Sequence, residues 1–139
     1  MSAIRVVIDT QVFLRAAINR KSLPARIVFD LAHQYELVTS QAITDEIRKV
    51  LHRPNLRNKF PHLTDEVAQQ VMSLLSSAEI VTPDHVSSVS RDPKDDIFLA
   101  CAKIANATHI VSEDNDLLVL NPYEGIQIVN VREFNQILE

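Results

Sequence analysis

The sequence predicts an α/β fold in which a central parallel sheet is covered by helices on both faces. Short apolar runs rich in β-branched residues alternate along the chain with segments whose apolar residues recur at helical spacing. Runs that are apolar throughout are typical of strands buried on both faces, and short connections between such strands need right-handed crossovers. The single glycine, Gly125, excludes the glycine-rich phosphate loops of dinucleotide-binding and P-loop proteins.

Five segments have the composition of strands. Three are strongly apolar and two are weaker, the last of these being suited to a sheet edge. The strong runs are residues 4–9, 108–112 and 126–131, and the weaker ones are 36–40 and 79–83.

Helical patterns occupy the intervals between these runs. The main ones cover residues 22–34, 41–52, 64–78 and 97–105. Ser22 is a candidate N-cap for the first of them, with Pro24 in its first turn. Asp92, Pro93 and Asp95 have the spacing of an N-cap, a first-turn proline and an N3 carboxylate at the start of the last. Both acids therefore have a structural interpretation.

Length and composition predict one domain spanning residues 1–139. The apolar fraction of 46% and the charged fraction of 23% are near globular averages, so neither disorder nor a membrane segment is expected. The lone Cys101 excludes an intramolecular disulfide, and the chain opens on a strand-like run without the parts of a signal peptide. A cytoplasmic location is therefore expected.

The charge is segregated along the chain. The formal net charge is −4, which taken alone argues against a nucleic-acid partner. Residues 47–62, however, hold five basic side chains and no acid. A charge run is usually a solvated helix face, but Arg48, Lys49 and Arg53 follow directly on Glu46 and could lead a polyanion toward acidic residues.

Five acids are expected at the rim formed by the carboxyl ends of the strands. They are Asp9 after the first strand, Glu46 on the helix of residues 41–52, Asp96 at the start of a buried helix, and Asp114 with Asp116 after another strand. Carboxylates brought close together in a low-dielectric cleft repel one another unless a cation lies between them. Oxygen ligands select Mg²⁺ or Mn²⁺ over zinc, and such an ion is suited to phosphate chemistry.

Three of these acids also have an interpretation without chemistry. Asp9 and Asp114 are placed to cap following helices, and Glu46 has the setting of a solvated helix face. Asp96 is the strongest single candidate, because a charge in the first turn of an apolar helix is costly without a partner. The five histidines show no spacing typical of a metal or catalytic motif.

The order of these acids, within "VVIDTQVFLRA", "TSQAITDEIRKVL", "RDPKDDIFLACA" and "HIVSEDNDLLVL", resembles the PIN domain, and most closely the VapC-like PIN proteins of prokaryotic toxin-antitoxin systems. The resemblance covers about residues 4–135. It implies a three-layer α/β/α sandwich, an Mg²⁺- or Mn²⁺-dependent endoribonuclease acting on single-stranded RNA, a homodimer or higher homo-oligomer, and a cognate antitoxin.

The resemblance also implies roles for individual residues. Asp9, Glu46, Asp96 and Asp114 match the family's catalytic acids, and Asp116 matches a further acid of more variable role, so that Asp9, Asp96, Asp114 and Asp116 are the expected metal ligands. Thr10 matches a polar neighbour of the first aspartate and joins Arg48, Lys49 and Arg53 as an expected substrate contact. Two positions depart from the pattern, with Gln11 in place of asparagine and Glu113 in place of glycine.

Two other functions fit parts of the sequence. One is a catalytically silent PIN-fold module that binds RNA or protein through the basic stretch, which also contains Arg57. The other is a Mg²⁺-dependent phosphatase or phospho-receiver on a similar sheet. Against the latter, "DTQV" lacks a second acid two residues after Asp9, and no suitable lysine follows "IQIVNV".

Overall fold

The computed structural model of the protein describes residues 3–84, 86 and 88–139. Its five strands form one sheet in the order β3-β2-β1-β4-β5, and every neighbouring pair is parallel. The predicted fold class is confirmed. The strands are β1 (Arg5–Ile8), β2 (Glu36–Ser40), β3 (Glu79–Val81), β4 (His109–Val111) and β5 (Gln127–Val129).

The strand order places a topological switch point beside β1. The chain moves outward from β1 to β2 and β3, and then crosses back to add β4 and β5 on the other side of β1. Ile8 pairs with Val111, so the carboxyl ends of β1 and β4 lie level. In open parallel sheets ligands bind in the crevice at such a point, because the connections leave it in opposite directions.

Helices cover both faces of the sheet. Crossovers that are right-handed and move in opposite directions place their helices on opposite faces. Helices α1, α3 and α5 contact one another, while α6 contacts β1, β2 and β4. The helices are α1 (Thr10–Ile18), α2 (Leu23–Ala25), α3 (Gln41–Leu51), α4 (Pro54–Lys59), α5 (Asp65–Ser76), α6 (Asp96–Ile104), α7 (Asn115–Leu118) and α8 (Val131–Leu138).

The core has the composition that the apolar runs predict. Val6, Val7 and Ile110 on the central strands are fully buried, as is Cys101 on α6. Burial raises the pKa of the Cys101 thiol to about 12, so the group behaves as a small apolar side chain. Within the part of the chain that the structure describes, no helix is long and apolar enough to cross a bilayer.

The observed elements differ from the predicted ones at several boundaries. The helix predicted over residues 22–34 begins as expected, with the Ser22 hydroxyl accepting from the Ala25 amide, but it changes to a π-helical turn over Arg26–Asp30 and a 3₁₀ turn over Ala32–Gln34. The edge strand β3 is only three residues long. The short α4 and the C-terminal α8 had no counterpart among the predicted elements.

Candidate active site

Four carboxylates meet at the switch point. Asp92 and Asp95 precede α6, and Asp114 and Asp116 follow β4. One oxygen from each side chain lies within 4.8 Å of one from every other. We call these four residues the carboxylate cluster. Such close oxygens repel one another strongly in the absence of a cation.

Asp95 is the most constrained member of the cluster. It ends the 3₁₀ turn Pro93–Asp95 and its side chain caps no helix, contrary to the capping role predicted for it. The residue is 5% exposed, and its Oδ2 atom is buried without a hydrogen-bond partner. Burial, followed by the charges of Asp114, Asp9 and Asp92, raises the pKa of the Asp95 carboxyl to about 7.

Asp9 lies next to the cluster at the end of β1. Its Oδ1 accepts from the Gln11 amide at 3.4 Å, which makes it the N-cap of α1. Burial is the main reason that the pKa of Asp9 is raised, and the Asp114 and Glu46 charges add to the effect. The sequence-based interpretations of Asp9 as a cap and as a member of an acidic site are therefore both compatible with its position.

Ser112 joins Asp9 to the cluster. Its hydroxyl donates to Asp9 Oδ2 at 2.7 Å and accepts from the Asp114 amide at 3.0 Å. The residue is fully buried, and its hydrogen bond opposes the rise in the Asp9 pKa. Sequence reasoning overlooked Ser112, although a serine between an apolar strand and an acidic turn is a recognisable signal.

Asp114 and Asp116 are held by their own backbone. Asp114 Oδ1 accepts from the Asp116 amide at 2.9 Å, so Asp114 caps α7 in the way that was considered for it. The Asp116 carboxylate also lies 2.8 Å from a guanidinium nitrogen of the exposed Arg91. This ion pair balances one of the four charges and leaves the other three without a cationic partner among the described residues.

Asp96 is turned away from the cluster. Its Oδ1 accepts from the backbone amides of Val89 and Ser90, at 3.1 and 2.8 Å, and so holds the loop that leads into α6. Successive residues of a helix point about 100° apart, so Asp95 and Asp96 cannot both face the crevice. The structure brings Asp95, and not the predicted Asp96, into the group of acids.

Glu46 lies close enough to Asp9 for its charge to raise the pKa of the Asp9 carboxyl. The Ser40 hydroxyl accepts from the Ile43 amide and caps α3, which carries Glu46. The hydroxyl of Thr10 donates to Glu46 Oε2 at 2.9 Å. Thr10 is itself buried, so within this arrangement it orients Glu46 and leaves little of its own surface for a substrate.

Some basic side chains of residues 47–62 pair with other groups of the protein, and others are exposed without a salt-bridge partner among the described residues. Arg57 donates to the Leu51 carbonyl and to Asp65, at 2.7 Å in both cases, and so joins the ends of α3 and α5. Arg48 pairs with Asp45 on its own helix. Lys49 and Arg53 are exposed and form no salt bridge with another described residue.

The donor atoms of the cluster fit a hard divalent cation. All four are carboxylate oxygens, without histidine or cysteine among them, as Mg²⁺ and Mn²⁺ prefer. The buried and unpartnered Asp95 Oδ2 is the most specific sign, since buried polar atoms normally find a partner. A cation would supply that partner and remove the repulsion.

The family follows from comparison with known proteins. A family model described as "PIN domain" matches residues 5–116, which include β1, α6 and the whole carboxylate cluster. The chain belongs to the PIN domain family. A relative from Methanocaldococcus jannaschii, the uncharacterized protein MJ1680, is 32% identical in an alignment of 134 residues that covers 93% of this chain and 84% of that protein.

Two crystal structures of PIN-fold proteins resemble this PIN domain. PAE2754 from Pyrobaculum aerophilum superimposes with a TM-score of 0.59 at 16% identity, covering 97% of this chain and 95% of that one. The sarcin-ricin loop cleaving toxin VapC20 of Mycobacterium tuberculosis gives 0.52 at 16% identity, with coverages of 88% and 98%. At 16% identity these two likenesses confirm the fold, and the family model confirms the PIN resemblance of the sequence. PIN domains are generally nucleases.

Proposed function

We propose that this PIN domain is a metal-dependent endoribonuclease that hydrolyses phosphodiester bonds of single-stranded RNA. The observation that carries the proposal is the carboxylate cluster at the switch point of a nuclease-family fold, in which the buried Asp95 has an oxygen without a hydrogen-bond partner. VapC20, a toxin that cleaves the sarcin-ricin loop, is a structural neighbour and supports RNA as the substrate class.

The proposed ligands of Mg²⁺ or Mn²⁺ are Asp95 and Asp114, with Asp9 and Asp116 beside them and Glu46 near Asp9. When bound, the metal would lower the pKa of a bound water and neutralise charge on the scissile phosphate. The chain's own contribution is orientation. Ser112 holds Asp9 against Asp114, and Thr10 holds Glu46 toward Asp9.

The proposed route of the substrate follows the basic side chains. Lys49 and Arg53 are exposed, and Arg48 lies beside Lys49 on the last turns of α3. Such charges raise the local concentration of a polyanion near an acidic site that would repel it. As in toxin-antitoxin systems, the proposed partners are a cognate antitoxin and a second copy of the chain, and the proposed location is the cytoplasm.

The first experiment compares Asp95 and Asp114 of the carboxylate cluster with Asp96, the sequence neighbour of Asp95. Purified protein is incubated with a labelled, unstructured RNA in Mn²⁺, Mg²⁺ or EDTA, alongside Asp95→Asn, Asp114→Asn and Asp96→Asn variants. We expect metal-dependent cleavage that Asp95→Asn and Asp114→Asn reduce more than about 100-fold, since loss of outer-shell groups alone costs about 10- to 100-fold. Asp96→Asn retains an oxygen that accepts from Val89 and Ser90, and its cleavage should stay within about tenfold of wild type.

Circular dichroism confirms that each variant is folded. Loss of cleavage in Asp96→Asn with retention in Asp95→Asn would restore the sequence-based assignment of Asp96. RNA that stays intact with every metal, while the protein still binds it with steep salt dependence, would instead establish the silent binding module.

A further inference from the structure

A cavity of about 540 Å³ is lined in part by Glu113, which adjoins Asp114 of the carboxylate cluster in the sequence. Its wall includes Glu113, the neighbour of Asp114, and Arg132, which follows the end of β5. The cavity is also lined by Arg15 of α1, Leu23 of α2 and Phe60 after α4. The cavity thus combines apolar surface with charges of both signs.

Phe60 provides a half-buried aromatic surface in this cavity. It is the sole aromatic side chain of the basic stretch, residues 47–62. The Lys59 ammonium lies 5.4 Å from the centre of its ring. Aromatic rings bordered by cations are the usual platforms on which proteins stack unpaired bases. The basic stretch therefore ends in a surface suited to a nucleobase.

The charged groups of the cavity are free to engage a nucleotide. Arg15 and Arg132 are exposed, and neither forms a salt bridge with another of the described residues. Guanidinium groups bind phosphate oxygens well. Glu113 is half-buried, and its carboxylate likewise has no salt-bridge partner within the described chain. A carboxylate accepts from the amino group of cytosine or adenine.

We propose that this cavity is a base-specificity site. It binds the base of a nucleotide next to the scissile phosphate, stacks that base against Phe60, holds the adjoining phosphate with Arg15 and Arg132, and selects amino-bearing bases through Glu113. Uracil presents a carbonyl oxygen where cytosine has an amino group, and an oxygen facing the Glu113 carboxylate leaves both acceptors unpaired. The assignment rests on the proposed function, because it takes RNA as the substrate.

Binding is measured separately from cleavage. Fluorescein-labelled heptanucleotides of cytidine, adenosine or uridine are titrated with the protein in EDTA, and fluorescence anisotropy reports affinity. We expect the uridine oligonucleotide to bind about tenfold more weakly than the cytidine one. Glu113→Gln offers both a donor and an acceptor and should abolish this preference. Phe60→Ala should weaken binding of all three at least about fivefold.

Matched controls lie in a second cavity, where the Arg20 guanidinium stacks 4.0 Å from the centre of the Phe29 ring and Glu66 is nearby. Phe29→Ala and Glu66→Gln should leave both affinity and base preference unchanged. If Phe60→Ala lowers the melting temperature, Phe60→Leu keeps most of the apolar volume while it removes the aromatic face.

The same oligonucleotides incubated with Mn²⁺ separate this inference from the proposed function. Metal-dependent cleavage whose base preference is unaltered by Glu113→Gln and Phe60→Leu would overturn the specificity site and leave the nuclease intact. A base preference in binding that Glu113→Gln abolishes, without cleavage in any metal, would uphold the site and reject hydrolysis. Equal affinity of the wild-type protein for all three oligonucleotides would overturn the site.

Discussion

Adjacent acidic residues have opposite environments at the start of α6. Asp96 accepts two backbone hydrogen bonds, which are the ordinary way to stabilise a buried carboxylate. Asp95 is equally buried but has an oxygen without any partner, and it faces other carboxylates. The difference is the one expected between a residue that holds the fold together and a residue kept ready for a ligand.

Ser112 provides a test of how the acids are positioned. Replacing it with alanine removes the donor to the buried Asp9 carboxylate and the acceptor for the Asp114 amide. Unsatisfied buried groups cost about 1 to 3 kcal/mol, so we expect Ser112→Ala to lower the free energy of unfolding by that amount in urea titrations at pH 7.5.

The matched control is Ser76→Ala, because the Ser76 hydroxyl donates to the Ser73 carbonyl on the surface of α5. Its effect on stability should stay within about 0.5 kcal/mol. Equal stability losses in the two variants would show that the Ser112 bridge contributes nothing specific.

At the scale of secondary-structure elements, helix N-caps determine where the acidic side chains lie. Asp9 caps α1 and Asp114 caps α7, while Ser40 caps the helix that carries Glu46. Each of these residues follows or ends a strand, so the turn from strand into helix sets the direction of the polar side chain at that point. The polar residues at this rim of the sheet are therefore the N-caps of the helices that follow the strands.

Removing the N-cap of α3, which carries Glu46, should affect RNA cleavage, whereas removing the N-cap of α5 should affect stability alone. We expect Ser40→Ala and Thr64→Ala each to destabilise the protein by about 1 kcal/mol, because each side chain accepts from an amide in the first turn of its helix. Urea unfolding measures this cost. Ser40→Ala should also slow RNA cleavage severalfold, since α3 carries Glu46, whereas Thr64→Ala should not. Equal cleavage by the two variants would contradict a positioning role for the start of α3.

At the scale of the whole molecule, ionisation of the buried acids lowers the free energy of unfolding of the metal-free protein. The pKa of the Asp95 carboxyl is raised from its ordinary 3.8 to about 7, so between these values the folded state binds a proton that the unfolded state has released. The free energy of unfolding therefore falls as the pH rises through this window. Asp9, whose pKa is also raised, contributes in the same direction.

This linkage predicts a metal-free protein that is less stable at pH 8 than at pH 5. We expect the Asp95 contribution to be on the order of 3 kcal/mol, measured by urea unfolding in EDTA. Asp95→Asn should be more stable than wild type at pH 8 and nearly equal to it at pH 5. Adding Mg²⁺ at pH 8 should stabilise wild type and leave the variant unchanged.

The difference in free energy of unfolding between wild type and Asp95→Asn separates the effect of Asp95 from that of His109, whose pH dependence has the opposite sign. Burial lowers the pKa of His109, so its contribution to stability increases as the pH rises through its titration range. That contribution is common to both proteins and cancels in the difference. A difference that does not change between pH 5 and pH 8 would refute the environment assigned to Asp95.

The sequence by itself determined the α/β class, the strands and the residues at their carboxyl ends. Strand ends are readable because apolar runs stop where the chain leaves the buried sheet, and in a parallel sheet all such ends share one rim. Asp9 and Asp114 were identifiable for this reason. The PIN resemblance could likewise be recognised from the acids and their neighbouring motifs.

Only the tertiary structure decided which side chains face one another across that rim. Asp95 and Asp96 are both acids at the start of one helix, and their directions depend on how α6 rotates as its apolar residues pack against the sheet. The bridging hydroxyl of Ser112 and the placement of Phe60 and Glu113 in one cavity also depend on contacts between distant segments. Sequence periodicity describes a helix face relative to its own axis, whereas packing sets that axis against the rest of the molecule.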